Sequence, residues 1–253
     1  MSLLEAVLIA LAGVAAGTIN TVVGSGTLIT FPTLLAFGVP PVTANVSNSI
    51  GLVPGSITCA VGYRRELGGQ RSRILHLASA SALGGLLGGV LLLWQPGAFE
   101  VIVPALILLG LILVVAGPRI SSWVARRHAA AGGLPARGAW WVWPLMFACG
   151  VYGGYFGAAQ GVLMMAVLGI GIDETLQRLN GLKNVLAVLV NGVSGILFAV
   201  LADVDWRVVA LIGSGAIVGG VLGSSIGRRL PAAVLRGFIV VVGVVALVAF
   251  LAG

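Results

Sequence analysis

The chain has 253 residues, of which 59% are hydrophobic and 8% charged, with 39 glycines, whereas a soluble domain carries roughly 25% charged residues. A water-soluble globule is excluded: at about 20 residues per crossing, the length accommodates on the order of ten membrane passes and leaves little over. The formal charge of +7 is therefore read first as a topology signal, before any nucleic-acid partner is considered.

The first hydrophobic run, Leu3 to Val23, has no positive residue ahead of it, which marks a retained segment rather than a cleaved signal. Further runs follow at Leu28 to Phe37, Asn45 to Tyr63, Ile74 to Trp94 and Val101 to Gly117. After the polar stretch Pro118 to Gly138 come Ala139 to Phe156, Val162 to Ile170, Asn180 to Leu201, Val208 to Ile226 and Ala232 to Leu251. Eight of these runs are long enough to span. The second and seventh have about ten residues, about 15 Å of helix, half of a hydrocarbon core of about 30 Å.

Shifting the chain by 135 residues brings Asn45 onto Asn180, the cluster Gly84, Gly85 and Gly88 onto Gly219, Gly220 and Gly223, and Pro96 onto Pro231. The loop from Val23 to Leu28 matches Gly157 to Val162 at a shift of 134. The expected architecture is an all-α integral membrane protein of two five-segment repeats, 1–117 and 139–253, joined by a linker, 118–138. Lys and Arg gather in Arg64 to Arg73, in the linker (Arg119, Arg126, Arg127, Arg137), at Arg178 and at Arg228, Arg229 and Arg236. The positive-inside rule makes these loops cytoplasmic, with Glu100, Asp203 and Asp205 outside. Equivalent loops of the two halves then fall on opposite sides, so the repeats are inverted. Inverted repeats with interrupted segments at matching places are the pattern of a secondary transporter with a midplane site.

Two Gly-rich breaks precede the short segments: Gly24, Ser25, Gly26 and Thr27 in the first half, and Gly157 to Gly161, including Gln160, in the second. Irregular backbone is tolerated in a bilayer only where protein or a cavity shields it, and the helix start that follows offers free N–H groups to an anion. Polar side chains share one face of the third segment (Asn45, Asn48, Ser49, Ser56, Cys59) and one face of the eighth (Asn180, Lys183, Asn184, Asn191, Ser194). Lys183 is the ionisable residue inside a long apolar run; it either snorkels and pairs with Asp173 or Glu174, or it is a counter-charge to a substrate. Spans without carboxylates argue against an Asp/Glu proton relay. Cys59 and Cys149 have no metal-ligand spacing and read as small buried hydrophobes, and neither a P-loop nor a nucleophile constellation is present, so no cofactor or catalytic residue is expected. Gly215, Gly219, Gly223 and Gly227 in the ninth segment, and Ala80, Gly84 and Gly88 in the fourth, form smooth ridges for helix packing.

The run Gly24-Ser25-Gly26-Thr27-Leu28 with Phe31-Pro32, the pairs Ala44-Asn45 and Asn48-Ser49, Gly153 to Ala158 with Gly161, and Asn180 to Asn184 resemble the TauE/SafE family of sulfite and organosulfonate exporters across essentially the whole chain. Ser25, Thr27 and Gln160 depart from the family's glycine-rich loops. The resemblance implies a multi-pass inner-membrane transporter of small sulfur-containing anions (sulfite, organosulfonate or thiosulfate), with the bilayer as its other partner, no nucleic acid, and a homo-oligomer left open. A passive anion channel and, further off, an intramembrane enzyme or assembly factor are the alternatives.

The charge pattern predicts that both termini lie outside the cytoplasm. Single cysteines at Gly69, Ala130 and Asp203 in a Cys-free background should react with an impermeant thiol reagent in intact cells only at position 203; labelling at 69 or 130 would refute the orientation.

Overall fold

In the computed structural model, residues 1–130, 138–225 and 232–252 are described. Arg137, Arg228, Arg229, Pro231 and Gly227 lie outside them. The described residues form ten helices: α1 (Leu3–Val22), α2 (Thr27–Ala36), α3 (Pro41–Gly62), α4 (Arg71–Trp94), α5 (Pro96–Ala130), α6 (Val142–Tyr155), α7 (Gln160–Gly171), α8 (Leu176–Leu201), α9 (Trp206–Ser225) and α10 (Ala232–Ala252). Local chemistry sets several starts. Ser2 and Glu5 form a capping box on α1, Pro41 opens α3 with its fixed φ, and the Thr175 hydroxyl accepts the Arg178 N–H at the start of α8. Helix α5 does not stop at Gly117 but continues through Pro118 to Ala130.

Five of these helices are long and apolar enough to cross a bilayer: α1, α4, α5 over Pro96–Ile120, α8 and α9. Eight were expected. Helix α6 fails because it ends after 14 residues at its break, and α3 is absent from the five because polar side chains stud its length. In α10 the stretch Ala233–Val245 is apolar.

The short helices do not cross. Met1 and Glu5 at the start of α1 share a surface hollow with Phe37 and Gly38 at the end of α2 and with Asp205 ahead of α9. Hence α1 and α2 form a hairpin that enters and leaves at this end, the Met1 end. At the other end, the Ala139 N–H donates to Gly171 O at 2.8 Å, joining the approach to α6 to the end of α7. That hairpin enters and leaves at the Arg178 end. The two hairpins penetrate from opposite ends and meet inside.

Close helix packing follows the glycine ridges. Helix α1 lies along α9, where a Cβ on Gly219 would fall 2.1 Å from the Val14 carbonyl oxygen; α6 lies along α4, where a Cβ on Gly88 would fall 2.1 Å from Val151 O. Backbones this close gain dispersion contact that lipid cannot match. Large apolar side chains such as Leu11, Leu75, Val101, Ile196 and Val241 remain exposed on the outside, where acyl chains replace water. Helices α3 and α8 run through the middle against each other.

Polar contacts tie the halves at both ends. Glu174 accepts from Arg178 Nε at 2.7 Å and from Arg73 Nη1 at 3.2 Å, while Arg178 Nη2 reaches Gly68 O at 2.9 Å. Burial pushes the Glu174 carboxyl upward, but the hydrogen bonds and charges of Arg178 and Arg73 outweigh it and hold it below the usual range. At the Met1 end the Asp205 N–H donates to Ser47 Oγ at 2.9 Å.

Gly219→Val and Gly88→Val should each lower the thermal midpoint in detergent, because overpacking costs about 1–3 kcal/mol of stability. Gly237→Ala, whose Cβ meets nothing within 4 Å, should not. Unchanged midpoints in both valine variants would show that these helices pack less closely.

Candidate functional site

The site grows from the two helix breaks. At the end of α1, the Val23 and Gly24 N–H groups both turn back to Ile19 O, at 2.7 and 3.1 Å; at the end of α6, Phe156 and Gly157 turn back to Tyr152 O, at 2.9 and 3.1 Å. Gly24 has φ +80° and Gly157 φ +76°, the left-handed conformation that closes a helix and suits glycine. These closing turns match at a shift of 133 residues, one less than the sequence match, because the backbone turn and not side-chain likeness sets the correspondence. Beyond them the halves diverge. Gly26 stays helical at φ −60°, whereas Ala159 enters the left-handed region at φ +58°.

The breaks touch each other. Gly161 N–H donates to Gly24 O at 3.0 Å, and a Cβ on either glycine would fall 2.5 Å from the other's Cα. An anion lying directly between the two helix starts, as the inverted pattern predicts, has no room at this point; the space opens beside the contact.

Asn45 and Asn180 are occupied in closing the breaks. Asn45 Nδ2 donates to Tyr155 O at 2.9 Å and Asn180 Nδ2 donates to Thr21 O at 3.0 Å. Each amide thus satisfies a terminal carbonyl of the broken helix in the other half, a group that has no intrahelical partner. Asn48 accepts from Thr30 Oγ1 and donates to Thr27 Oγ1 at 3.4 Å, and Ser49 Oγ donates to Asn45 O at 2.8 Å. The Gly26 N–H is taken by Asn20 Oδ1 at 2.7 Å. Ser25 is buried, with its hydroxyl unpartnered. These six positions, expected to bind substrate, are not among the residues that line the cavity.

The cavity holds about 30 Å³, little more than a water's worth of space. Gly24, Thr27, Gly157, Gln160, Gly161, Lys183 and Asn184 line it, as expected from sequence, joined by Asn20, Ser56, Cys59, Ala187 and Asn191. Asn20, like Ala187, is a lining residue that sequence reasoning missed, because no polar residue stands three or four positions from it on α1.

Lys183 dominates the electrostatics. Its side chain is 1% exposed and its Nζ donates to Asn20 O at 3.2 Å, a carbonyl near the end of α1. It neither snorkels nor pairs with Glu174, whose oxygens are held by Arg73 and Arg178. Among the described residues no carboxylate forms an ion pair with it. Gln160 Nε2 and Asn184 Nδ2 are also buried without an acceptor. Burying an ammonium costs several kcal/mol, and the negative end of α1 returns at most about 2 kcal/mol. With Lys183 protonated, the site holds a positive charge without a counter-charge and amide donors without acceptors, a set that suits an anion.

Asn45→Ala and Asn180→Ala should each leave a broken helix end with an unsatisfied carbonyl, costing about 1–3 kcal/mol. Thermal unfolding should register this loss in both variants, and a midpoint equal to wild type would assign these amides elsewhere.

The sequence profile of the family described as "Sulfite exporter TauE/SafE" matches residues 9–250. A probable membrane transporter protein, ORF9, from Sinorhizobium sp is 27% identical over 251 residues, covering 94% of this chain and 88% of its own length. A probable membrane transporter protein, YfcA, from Escherichia coli strain K12 is 27% identical over 223 residues, covering 85% of this chain and 76% of its own. The chain belongs to the TauE/SafE family, and is a multi-pass membrane transporter of that family.

Proposed function

We propose that this transporter carries small sulfur-containing oxyanions of the sulfite, thiosulfate or organosulfonate class across the inner membrane, binding them one at a time beside Lys183. The observation that carries the reading is a buried lysine with no carboxylate partner among the described residues, in a cavity walled by both helix breaks. The starts of α2 and α7 lie in the same region, but the N–H groups of Gly26, Gln160, Gly161 and Val162 are already bonded within the protein, so the lysine and the side-chain amides carry the reading. The small volume favours a compact anion, and a ligand larger than water requires the hairpins to part.

We read the halves, 1–117 and 139–253, as inverted repeats that rock against each other to expose the site alternately. Opposed hairpins support this reading, as do the matched helix pairs α1 with α9 and α6 with α4. The reciprocal bonds of Asn45 and Asn180 do the same. Each of these pairs is what a two-fold operation exchanging the halves would produce.

In proteoliposomes, uptake and efflux of sulfite, thiosulfate, sulfoacetate and sulfate should saturate and show acceleration by trans substrate for the favoured anion. Lys183→Met should lower its transport at least tenfold with insertion intact, and Lys183→Arg should be milder. Transport by the Met variant equal to wild type would sink the Lys183 site, and flux without saturation or trans effects would indicate a channel.

A further inference from the structure

The anion reading leaves open what Lys183 does when no anion is bound. Its surroundings can be read element by element. Helix α1 presents Asn20, α2 presents Thr27, α3 presents Ser56 and Cys59, α7 presents Gln160, and α8 itself adds Asn184, Ala187 and Asn191. Of these only Cys59 can titrate, and its sulfur is already 2.7 Å from Thr21 Oγ1 and 3.7 Å from Gly17 O. None of these groups supplies a full negative charge. The partner that Nζ does have, Asn20 O at 3.2 Å, is a neutral carbonyl, which accepts equally well from an ammonium and from a neutral amine. Asn20 O is available because the next turn of α1 is missing: the Gly24 N–H that would take it goes to Ile19 O instead.

We infer that Lys183 is the proton carrier of this transporter, so that each anion crosses together with one proton held on Nζ. This rests on the anion site proposed above. In the loaded carrier, an ammonium faces the anion and the pair is neutral for a monoanion. In the empty carrier, a neutral amine donates to Asn20 O and no uncompensated charge stays buried. The chemistry is proton transfer alone. On the side where the anion enters, the amine lone pair takes a proton from hydronium, an O–H bond breaking as the N–H bond forms and water being left; on the far side the anion leaves, that N–H bond breaks and the proton passes to a water molecule as hydronium. Nothing is oxidised or reduced. A carboxylate relay is unnecessary, because the group that needs neutralising is also the group that titrates.

The test uses the purified full-length protein in detergent, titrated calorimetrically with methanesulfonate and with thiosulfate. Neither anion changes protonation across about pH 6 to 10, the range in which a perturbed lysine titrates. Runs in two buffers of different ionisation enthalpy count the protons taken up. Wild type should take up close to one proton per anion bound at the alkaline end, and its Kd should weaken about tenfold per pH unit there. Lys183→Arg, which cannot lose its proton, should bind without proton uptake and with a flat pH dependence. Anion binding by wild type with no proton uptake anywhere in the range would overturn proton coupling and leave the anion site standing. Failure of wild type to bind either anion, or undiminished binding by Lys183→Met, would overturn the anion site and the coupling with it. If Lys183→Arg does not fold, the wild-type proton count decides alone.

Discussion

A helix interrupted within a bilayer exposes carbonyl and N–H groups that hydrocarbon cannot satisfy, and much of this molecule follows from how those groups are paired. The ends of α1 and α6 close on themselves through Gly24 and Gly157, and their remaining carbonyls are met from the opposite half by Asn180 and Asn45. The start of α7 donates a backbone bond to the loop ahead of α2. Neither hairpin is complete alone; each is finished by a group the other half supplies. Lys183 belongs to the same system, since the carbonyl it bonds is one that the break in α1 leaves over.

The glycine stripes are the other half of this design. By letting α1 lie on α9 and α6 on α4 at backbone contact, they form two tight flanking pairs and leave α3 and α8 in the middle with their polar faces inward. Amides, hydroxyls and the Lys183 amino group then gather where the breaks meet, while many large apolar side chains face outward. The ionic cluster of Arg73, Glu174 and Arg178 lies at the starts of α4 and α8 and in the turn before α8, where its members are partly exposed.

Individual residues show how far sequence reasoning reached into the site. Lys183, Gln160 and the paired breaks were legible because a charge or a glycine cluster inside an apolar run is costly and asks for a reason. Asn45 and Asn180 were legible as inward-facing polar groups, but their task was not. An amide that holds a backbone carbonyl and an amide that holds an anion leave the same trace in a sequence. Asn20 left no trace at all: its side chain braces Gly26 and its carbonyl holds Lys183, and both roles depend on where the chain reverses rather than on periodicity.

Composition and hydrophobic patterning alone determined that the chain lives in a membrane, that it is helical and that its second and seventh segments are short. Those conclusions follow from solvent physics, since apolar length, glycine spacing and loop charge act locally and are written residue by residue. Only the tertiary structure decided that the short segments return to the end they entered from, that the two breaks touch, and which polar groups surround Lys183. These features depend on backbone groups of one half meeting side chains of the other across more than a hundred residues of chain, and a backbone carbonyl carries no residue name by which a sequence could announce its partner.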